Sequence, residues 1–524
     1  MLKSLWMRCL SAAAGAMMSA AVLSMQVCAA GVVTVSGVSI GDGNVVVTAA
    51  GNAGSEDGMY HLYAQNVTES AAGGTEVGST KAAGGSLHFS VPLQKDTPGS
   101  LLYKKFTVMA VQGGKKVPVS NSMFITNPEA CAPYSSPRMH VGKKGILPSS
   151  DLLRSGQLRQ LGIQQATYNI PLANITSGGG VPYVYNGKIY EFNASAIWQY
   201  DYIIPLLNAQ GIQVTLIFLN NRGGDASLIH PLSRDSHSAN YYAFNTQDEA
   251  AVEKLEAIAS FFAQRYSGKS FGTVDNWIIG NEINARAQWN YMKASAGIDT
   301  YTQEYAKAFR IFYNAIKAQN ANARVYSCVD NQFAGTTDSG FYPSQQFLLR
   351  LQADLSAEGN IPWDIAVHPY DMPLSDETLW DETGKSGIDH TQASKFVTMS
   401  NVDVFTDFFL QPSMRSPDGE VKSILCSEQG YTSNGKGGEK AQAASIVLAY
   451  QQAQQNQYID GFILAREQDH GDETKQGLAT GLSRADGTHK LAYSWYAAAD
   501  SPSTVKAAAD VIGVQDLSQL ITKR

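Results

Sequence analysis

Residues 274–289 read VDNWIIGNEINARAQW. The apolar run Trp-Ile-Ile at 277–279 has the composition of a buried strand; it stops at a glycine, and Asn281 and Glu282 follow directly. Strands commonly end in polar loops, so both side chains can be ordinary loop residues. The alternative is that Glu282 takes part in proton transfer. The rest of the chain is needed to distinguish these two interpretations.

The same order, an apolar run followed by a helix-like stretch, recurs eight times between residues 138 and 500. The strand-like runs lie at 139–145, 164–170, 212–219, 274–280, 323–329, 363–368, 422–427 and 459–465. Most of these runs are apolar throughout, which is typical of parallel strands that are covered on both faces. Eight such repeats predict an α/β fold, a (β/α)₈ TIM barrel with enlarged loops.

Residues 31–127 show a different pattern, with short alternating runs such as NVVVTAAG and SLHFSVPL separated by Gly, Asn, Asp and Ser. Short strands at regular spacing predict a small all-β domain, an immunoglobulin-like sandwich. Its role is either that of a rigid accessory domain or that of a carbohydrate-binding domain. Three prolines mark residues 128–137 as a linker, and residues 501–524 are expected to form a short helical tail after the barrel.

The first thirty residues have the composition of a targeting segment. Lys3 and Arg8 lie at its start. An apolar stretch follows and runs to about residue 23, and the segment ends in small residues at 28–30. This plan predicts a secretory signal peptide, residues 1–30, and hence a secreted protein, extracellular or periplasmic. The alternatives are a membrane anchor, for which the apolar part is short, and a lipid on Cys28, for which the preceding residues are unsuitable.

Charge and cysteine content exclude several classes of function. Removal of residues 1–30 takes away two basic residues and no acidic one, so the formal net charge changes from −7 to −9. An acidic chain without basic runs argues against a nucleic-acid partner, and no later stretch reaches the roughly 18 apolar residues that membrane insertion requires. Cys131, Cys328 and Cys426 have no metal-ligand spacing, so no metal site is predicted, and the last two are expected to be buried.

Two glutamates occupy the positions where a barrel enzyme carries its chemistry. The active sites of TIM barrels lie at the carboxyl ends of the strands. Glu282 ends the fourth predicted strand, and Glu428 ends the seventh within ILCSEQGY, residues 424–431. Only a closed barrel brings these two residues together. Cleavage of a glycosidic bond needs two such carboxyls, one protonated toward the leaving oxygen and one ionised at the anomeric carbon.

Other polar and aromatic residues at the strand ends or in the loops beyond them suit a polyhydroxylated ligand. The candidates are Asn169, Asn220, Arg222, Asn281, Asn284, Trp289, His368, Tyr370, Trp380 and Arg466. Amide and guanidinium groups form forked hydrogen bonds, and aromatic rings offer flat apolar faces. Residues 173–193 predict a β-hairpin over the barrel mouth with its turn at Asn186-Gly187. The acidic run 467–473 is expected to be solvated, with a Ca²⁺ site as the less favoured alternative.

In the order of their strands, these motifs resemble those of the retaining glycoside hydrolases of clan A. The Asn-Glu pair at 281–282, Glu428, and the His-x-Tyr of His368 and Tyr370 carry the resemblance, which covers roughly residues 138–500. It implies that Glu282 is the general acid/base and Glu428 the nucleophile. It further implies that Asn281 holds the sugar 2-hydroxyl, that Tyr370 donates a hydrogen bond to Glu428, and that His368 lines the subsite at the cleaved bond. The resemblance implies no cofactor and a carbohydrate substrate.

Two positions depart from that pattern. Arg466 ends the eighth strand, where many clan members have a tryptophan, and Asn220-Asn221-Arg222 ends the third, where several have a histidine. Arg466 either favours an acidic or unusually linked sugar or is paired with Glu467, Asp469 or Glu428. The alternative function is that of a non-catalytic carbohydrate-binding barrel. The sequence makes no prediction about oligomeric state.

Overall fold

The structure is a computed structural model that describes residues 32–385 and 387–524. The predicted signal peptide, residues 1–30, lies outside the described residues. Within the described ranges, no helix combines the length and the hydropathy that a membrane crossing requires.

The N-terminal domain is built from strands of the first hundred or so described residues. These strands are β1 (Val33–Gly41), β2 (Asn44–Gly51), β3 (Tyr60–Gln65), β4 (Thr75–Thr80), β5 (Ser86–Pro92), β6 (Lys105–Gln112) and β7 (Lys115–Phe124). Their order is β4-β3-β6-β7-β1-β2-β5, and neighbours are antiparallel except for β1 and β7. The two end strands meet, because a Cβ on Gly78 would come within 2.8 Å of Val91. The sheet therefore folds over an apolar core, which confirms the predicted all-β sandwich.

The remaining strands of the described residues form the barrel and two small hairpins. In chain order they are β8 (Lys144–Ile146), β9 (Gln165–Pro171), β10 (Gly180–Tyr185), β11 (Lys188–Asn193), β12 (Gln213–Leu219), β13 (Ser267–Lys269), β14 (Gly272–Thr273), β15 (Asn276–Ile279), β16 (Arg324–Asp330), β17 (Asp364–His368), β18 (Ile424–Gln429) and β19 (Ile459–Leu464). A closed parallel barrel runs β8-β9-β12-β15-β16-β17-β18-β19 and back to β8. The predicted (β/α)₈ barrel is confirmed.

Helices cover the outside of the barrel. They are α1 (Ser150–Ser155), α2 (Gln157–Leu161), α3 (Leu172–Thr176), α4 (Ala194–Asn208), α5 (Glu249–Arg265), α6 (Gly297–Lys317), α7 (Ser344–Ala357), α8 (Asp403–Phe409), α9 (Gly438–Gln454), α10 (Gly471–Lys475), α11 (Leu491–Ala497) and α12 (Pro502–Ile512). The segment between β8 and β9 contains two short helices, α1 and α2, because Gly156 adopts a left-handed conformation with φ 78° between them.

The lumen of the barrel is filled by a separate apolar cluster. Its members are Ile217, Leu219, Ile278, Tyr326, Cys328, Ala366, Leu425 and Ile463. Cys426, by contrast, belongs to the core between strands and helices. Both cysteines are fully buried, as predicted. Because side chains alternate along a strand, these clusters identify which residues of each strand face the lumen.

Strand β18 contains a β-bulge just before its end. Cys426 pairs with Phe462 and Gln429 pairs with Leu464, so three residue steps on β18 match two on β19. The partners of Cys426 and Gln429 face the helices, which leaves Ser427 and Glu428 between them on the lumen side. A strand with strict alternation after Leu425 would have turned Glu428 toward the helices. The bulge directs it into the barrel.

Two sequence-based placements are wrong. The first barrel strand, predicted at 139–145, begins only at Lys144 and ends at Ile146. The Lys143 ammonium donates to the carbonyls of Ala453 and Asn456, both at 2.8 Å, and therefore lies away from the mouth, which is the rim formed by the carboxyl ends of the strands.

The second wrong placement is that of the hairpin β10–β11. Its turn at Asn186 and Gly187 is as predicted, with φ 49° and 79°. The hairpin does not cover the mouth, because its aromatic face packs against α5 and the sandwich. Tyr185 donates to Glu256 at 2.8 Å on α5, and its ring lies 6.4 Å from that of Tyr103. The hairpin thus joins the two domains beside a cavity of about 190 Å³.

Candidate active site

Glu282 is presented by a tight backbone turn at the end of β15. Gly280 has φ 79°, and a Cβ there would meet the end of the Ile283 side chain at 2.3 Å, so a side chain at 280 would be strained and would displace Ile283. Glu282 itself has φ 41°, a left-handed conformation that is uncommon for glutamate and costs conformational free energy. Such strain is concentrated at functional sites. The turn sets the Glu282 carboxyl against His368, whose Nδ1 lies 2.8 Å from Glu282 Oε1.

Glu428 is held by the second member of the His-x-Tyr motif. The Tyr370 hydroxyl donates to Glu428 Oε1 at 2.7 Å. Burial raises the pKa of Tyr370 well above its usual range, and the neighbouring Glu428 raises it further. The phenol therefore stays protonated and remains a donor to the carboxylate. This is the contact that the resemblance implied.

His368 lies between the two carboxyls and is fully buried. Its Nε2 is 3.3 Å from the Cys328 sulfur below it in the lumen. Burial alone would lower the pKa of the imidazole, but Cys328, Glu428 and the Glu282 contact raise it, and the net direction is upward. Glu282 also raises the pKa of Tyr370. Glu282 and Glu428 thus converge on the same two side chains of β17 and the loop after it.

Asp330 is a third carboxyl at this end of the barrel. It ends β16 on the lumen face, in register with His368, and is 6% exposed. Asn284 Nδ2 donates to its Oδ1 at 2.5 Å, and Gln332 donates to both oxygens at 3.0 Å. Burial and the nearby Glu282 raise the pKa of Asp330 to about 7, against the lowering effect of these hydrogen bonds. Its position at a strand end was visible in the sequence, but its proximity to Glu282 was not.

Tyr241 is a further aromatic residue at the mouth that the sequence did not indicate. It packs against the lumen cluster, and burial together with Glu428 raises the pKa of its phenol. Its ring lies 5.8 Å from that of Trp289. Backbone hydrogen bonds between the two loops, including Tyr291 N to Tyr241 O at 2.9 Å, fix this pair. Tyr241 lies far along the chain from the end of β12, the strand that precedes its loop. An inspection of the residues at the strand ends therefore does not find it.

Asn281 and Asn169 both retain free amide groups. Within the described ranges, neither side chain forms a hydrogen bond with another residue. Asn281 is 8% exposed beside Glu282, and Asn169 is exposed in register with the lumen residue Ile217. Their predicted role as substrate ligands therefore stays a prediction that the geometry allows.

Three other predicted ligands are occupied by the protein itself. Asn220 donates to the carbonyls of Leu228 and Ala243, at 2.9 and 3.1 Å. Arg222 donates to carbonyls within residues 233–236 and stacks on Tyr242 at 4.6 Å, so both side chains anchor the loop after β12. The Asn284 amide is taken up by Asp330 and by the Tyr342 carbonyl. The amide donors of Asn220 and Asn284 are thus taken up by the protein, whereas Arg222 bonds through one terminal nitrogen and its Nε has no hydrogen-bond partner.

Arg466 forms an ion pair with Glu473, a partner outside the three that the sequence suggested. In the described part of the chain, Glu467 accepts from the Ser149 N–H at 2.7 Å and Asp469 from Lys490 at 2.7 Å. Glu473 raises the pKa of Tyr370, so the ion pair lies near the two catalytic candidates. Across residues 32–385 and 387–524, no group of three His, Cys, Asp or Glu side chains has an arrangement that would hold a metal ion.

Trp380 is not brought to the mouth. It packs on the core of its own domain and lines a shallow depression with Met399, Leu448 of α9 and Leu520 of the tail.

The helical tail contains α12 and returns along α9, where the Thr522 carbonyl accepts from Gln452 at 2.7 Å.

Comparison with known proteins gives a family and a set of similar folds. A model described as a family of unknown function (DUF5722) matches residues 136–520. No curated protein matches the chain in sequence. A family 39 glycoside hydrolase from the gut symbiont Bacteroides cellulosilyticus WH2 is similar at 14% identity, over 89% of this chain and 79% of that chain, with a TM-score of 0.49.

Two further solved structures have a similar fold. GH5_18 from Streptomyces cattleya, in complex with GlcNAc, shares 13% identity over 70% of this chain and 80% of that chain, with a TM-score of 0.44. A β-glucosidase from Thermotoga maritima, in complex with deoxynojirimycin, shares 11% identity over 67% and 87%, with a TM-score of 0.42. At these identities the similarity concerns the fold alone.

Proposed function

Because the chain belongs to a family of unknown function (DUF5722) through residues 136–520, we propose its function from the geometry of the site. The protein is a secreted retaining glycoside hydrolase that cleaves β-glycosidic bonds in a polysaccharide or oligosaccharide. One observation carries the proposal. Glu282 and Glu428 reach the barrel mouth from different strands and are bonded, respectively, to His368 at 2.8 Å and Tyr370 at 2.7 Å.

The first step forms a covalent glycosyl-enzyme. The Glu428 carboxylate attacks the anomeric carbon while the bond to the leaving oxygen breaks, and Glu282 transfers its proton to that oxygen. Tyr370 occupies Oε1 of Glu428, which leaves Oε2 for the attack. A hydrogen bond from a phenol that stays protonated favours the ionised carboxylate. The β-bulge supports this role because it turns Glu428 into the lumen.

The second step releases the sugar. Glu282, now ionised, takes a proton from a water molecule, and the resulting hydroxide attacks the anomeric carbon and breaks its bond to Glu428. The two inversions restore the original configuration. His368 orients Glu282 in both steps, and its own position is fixed by burial and by Cys328.

The other free groups of the mouth bind the sugar in this proposal. The Asn281 amide holds the 2-hydroxyl, a hydrogen bond that strengthens in the transition state. The rings of Trp289 and Tyr241 provide a stacking surface for a neighbouring sugar unit. The Arg466–Glu473 ion pair borders the same space. Because Glu473 partly neutralises the positive charge of Arg466, the arginine presents less than a full charge to a ligand.

Substitution of the two glutamates by glutamine tests the assignment. On a panel of aryl β-glycosides and plant, microbial and host glycans, Glu282→Gln and Glu428→Gln are each expected to lower kcat/KM by about 10³-fold or more. The matched control is Glu467→Gln, a glutamate at the same rim that is bonded to Ser149. It should retain most activity. Wild-type turnover that survives in either test variant contradicts the proposal.

Azide rescue identifies the nucleophile directly. Glu428→Gly with azide and an activated glycoside should yield a glycosyl azide of inverted configuration, whereas Glu282→Gly should yield one of retained configuration. Glycan affinity that is unchanged in Glu282→Gln, with no turnover by the wild type, would instead indicate a non-catalytic carbohydrate-binding barrel.

Secretion is tested by the N-terminus of the exported protein. Mass spectrometry of protein recovered outside the cytoplasm should give a chain that begins at residue 31, as the composition of residues 1–30 predicts. A full-length chain retained with the cells contradicts this part of the proposal.

A further inference from the structure

The cavity of about 190 Å³ beside the hairpin, which we call the junction cavity, is enclosed by four separate parts of the chain. Two loops of the sandwich, β3–β4 and β5–β6, contribute Asn66 and Tyr103 among others. The turn of the hairpin β10–β11 contributes Asn186, and α5 contributes Glu249 and Glu256. The cavity therefore exists only where the sandwich is docked on the barrel, and domain interfaces are preferred places for ligand sites.

Polar contacts across the junction fix the walls of this cavity. Asn66 of the sandwich donates to Glu249 Oε1 of α5 at 2.7 Å and accepts from Lys104. Lys188 of the hairpin forms an ion pair with Glu253, one turn further along α5. The side chains that line the cavity are thus held in place by residues of other segments.

The junction cavity has a buried floor and an open rim. At the floor, Tyr103 and Glu256 are each 7% exposed and Val252 is 6% exposed. At the rim, Thr68 and Pro98 are exposed to solvent. A small molecule can therefore enter from solvent and reach the floor.

Two buried polar groups of the lining lack a partner. Tyr185 donates to Glu256 Oε2 at 2.8 Å, whereas Glu256 Oε1 has no hydrogen-bond partner in the part of the chain that the structure describes. The buried Ser100 hydroxyl accepts from the Leu102 N–H at 3.4 Å but donates to no acceptor among the same residues. Buried polar groups are costly without partners, so both are suited to bond to an occupant of the cavity.

The size and the charge of the lining narrow the class of ligand. A cavity of about 150 Å³ holds benzene, so this larger one has room for a six-membered ring with small substituents. The lining carries three glutamates of α5 and two lysines, Lys104 and Lys188, and hence no net positive charge whether Glu256 is ionised or not. Tyr103 and Pro98 add apolar surface of the kind that the carbon face of a sugar contacts.

A hydroxyl group suits Glu256 in both of its protonation states. The ionised carboxylate accepts a hydrogen bond from a hydroxyl, and the protonated acid donates one to it. An apolar ligand would leave Glu256 Oε1 without a partner, and an anion would meet the glutamates of α5. Within residues 32–385 and 387–524, no group of three acidic, histidine or cysteine side chains is arranged to hold a metal ion.

We infer that the junction cavity is a second ligand site, which binds one neutral sugar unit through its hydroxyl groups. The unit is a free monosaccharide or the end of a glycan chain, because the closed floor admits one ring and the rim lets a chain leave. The site lies away from the barrel mouth and supplies no catalytic group. It gives the sandwich a carbohydrate-binding role that it shares with the hairpin and α5.

Isothermal titration calorimetry of the whole protein tests this inference. D-glucose, D-galactose, D-mannose and D-xylose are titrated at millimolar concentrations, and at least one is expected to bind. Glu256→Met keeps the length of the side chain and removes both oxygens, so it should raise the Kd of that sugar about 5-fold or more. The control is Glu191→Gln, a glutamate of the same hairpin that does not line the cavity and should leave the Kd unchanged.

The outcomes that overturn the inference are defined. They are the absence of binding by all four sugars, a Kd that is unchanged in Glu256→Met, and binding of D-glucuronate as tight as that of D-glucose. Should Glu256→Met not fold, Thr68→Trp takes its place, because it puts a large side chain at the exposed rim and should abolish the binding. A disaccharide that binds as tightly as its terminal sugar indicates a glycan end, and a weaker one indicates a free sugar.

The junction site can be distinguished from sugar binding at the mouth. Trp289→Ala removes a stacking ring of the mouth and should leave the binding at the junction unchanged. If the wild type cleaves no glycoside, the proposed function fails, and the titration still reports on the junction cavity. If the wild type is active but no binding depends on Glu256 or on access past Thr68, the inference fails and the proposed function stands.

Discussion

Replacement of Glu256 by glutamine should change how the stability of the protein depends on pH. Glu256 lies on α5 at the junction between hairpin, barrel and sandwich, and it is 7% exposed. The Tyr185 hydroxyl donates to it at 2.8 Å. Burial raises its pKa from 4.5 to about 8, and the lysine of the junction, Lys104, offsets this only in part. Glutamine keeps an acceptor for Tyr185 and has no charge to bury.

The magnitude follows from the two pKa values. A carboxyl whose folded-state pKa is raised stabilises the fold fully below its unfolded value, and the contribution is lost as pH rises toward the folded value. Between pH 4.5 and pH 7, at about 1.4 kcal/mol per pH unit, the wild type loses about 3 kcal/mol at Glu256. Glu256→Gln loses nothing there. Its stability relative to the wild type should therefore rise by about 3 kcal/mol over this interval.

Urea unfolding followed by tryptophan fluorescence at pH 4.5, 6, 7 and 8 measures this difference. The control is Asp510→Asn on α12, whose ion pair with Lys506 is exposed on both sides and contributes little at any pH. Two parallel stability curves for Glu256→Gln and wild type would refute the reasoning. They would mean that water in the adjoining cavity of about 190 Å³ solvates the ionised Glu256.

Three further substitutions have defined outcomes. Tyr370→Phe removes the donor to Glu428 and should lower kcat/KM by about 10- to 100-fold in steady-state assays, with a melting temperature close to that of the wild type. Trp289→Ala should raise KM for oligosaccharides by about 5-fold and leave kcat nearly unchanged; an equal loss in kcat would contradict a binding role. Gly187→Ala places a Cβ 3.1 Å from Pro98 at φ 79° and should lower the free energy of unfolding by about 1 kcal/mol, measured in urea.

The sequence was sufficient for the barrel and for its two glutamates. Continuous apolar runs such as 274–279 identify covered parallel strands, and the strand-end rule then points to Glu282 and Glu428. The contact between Tyr370 and Glu428 followed from the resemblance. These features depend on local composition and on topology, which a single sequence can carry.

Other features depend on contacts that local patterns do not encode. The hairpin at 180–193 was predicted correctly as an element, but its aromatic face gives no information about which surface it covers. Several acidic residues lie close to Arg466 in the sequence, and each is a possible ion-pair partner. The pairing with Glu473 depends on the formation of α10, which carries that residue. The link between Asp330 and Glu282 passes through the side chain of Asn284, which had been assigned to the substrate.

The β-bulge in β18 has a consequence for enzyme design. Transplanting this pair of facing carboxyls into another barrel would require more than two glutamates at the ends of the fourth and seventh strands. The recipient's seventh strand would have to carry a β-bulge at the glutamate, where three residue steps pair with two on the eighth strand. Otherwise the regular pleat would turn the carboxylate into the helix layer. A scaffold matched only in strand number and loop length would fold and yet hold the second glutamate outside the barrel lumen.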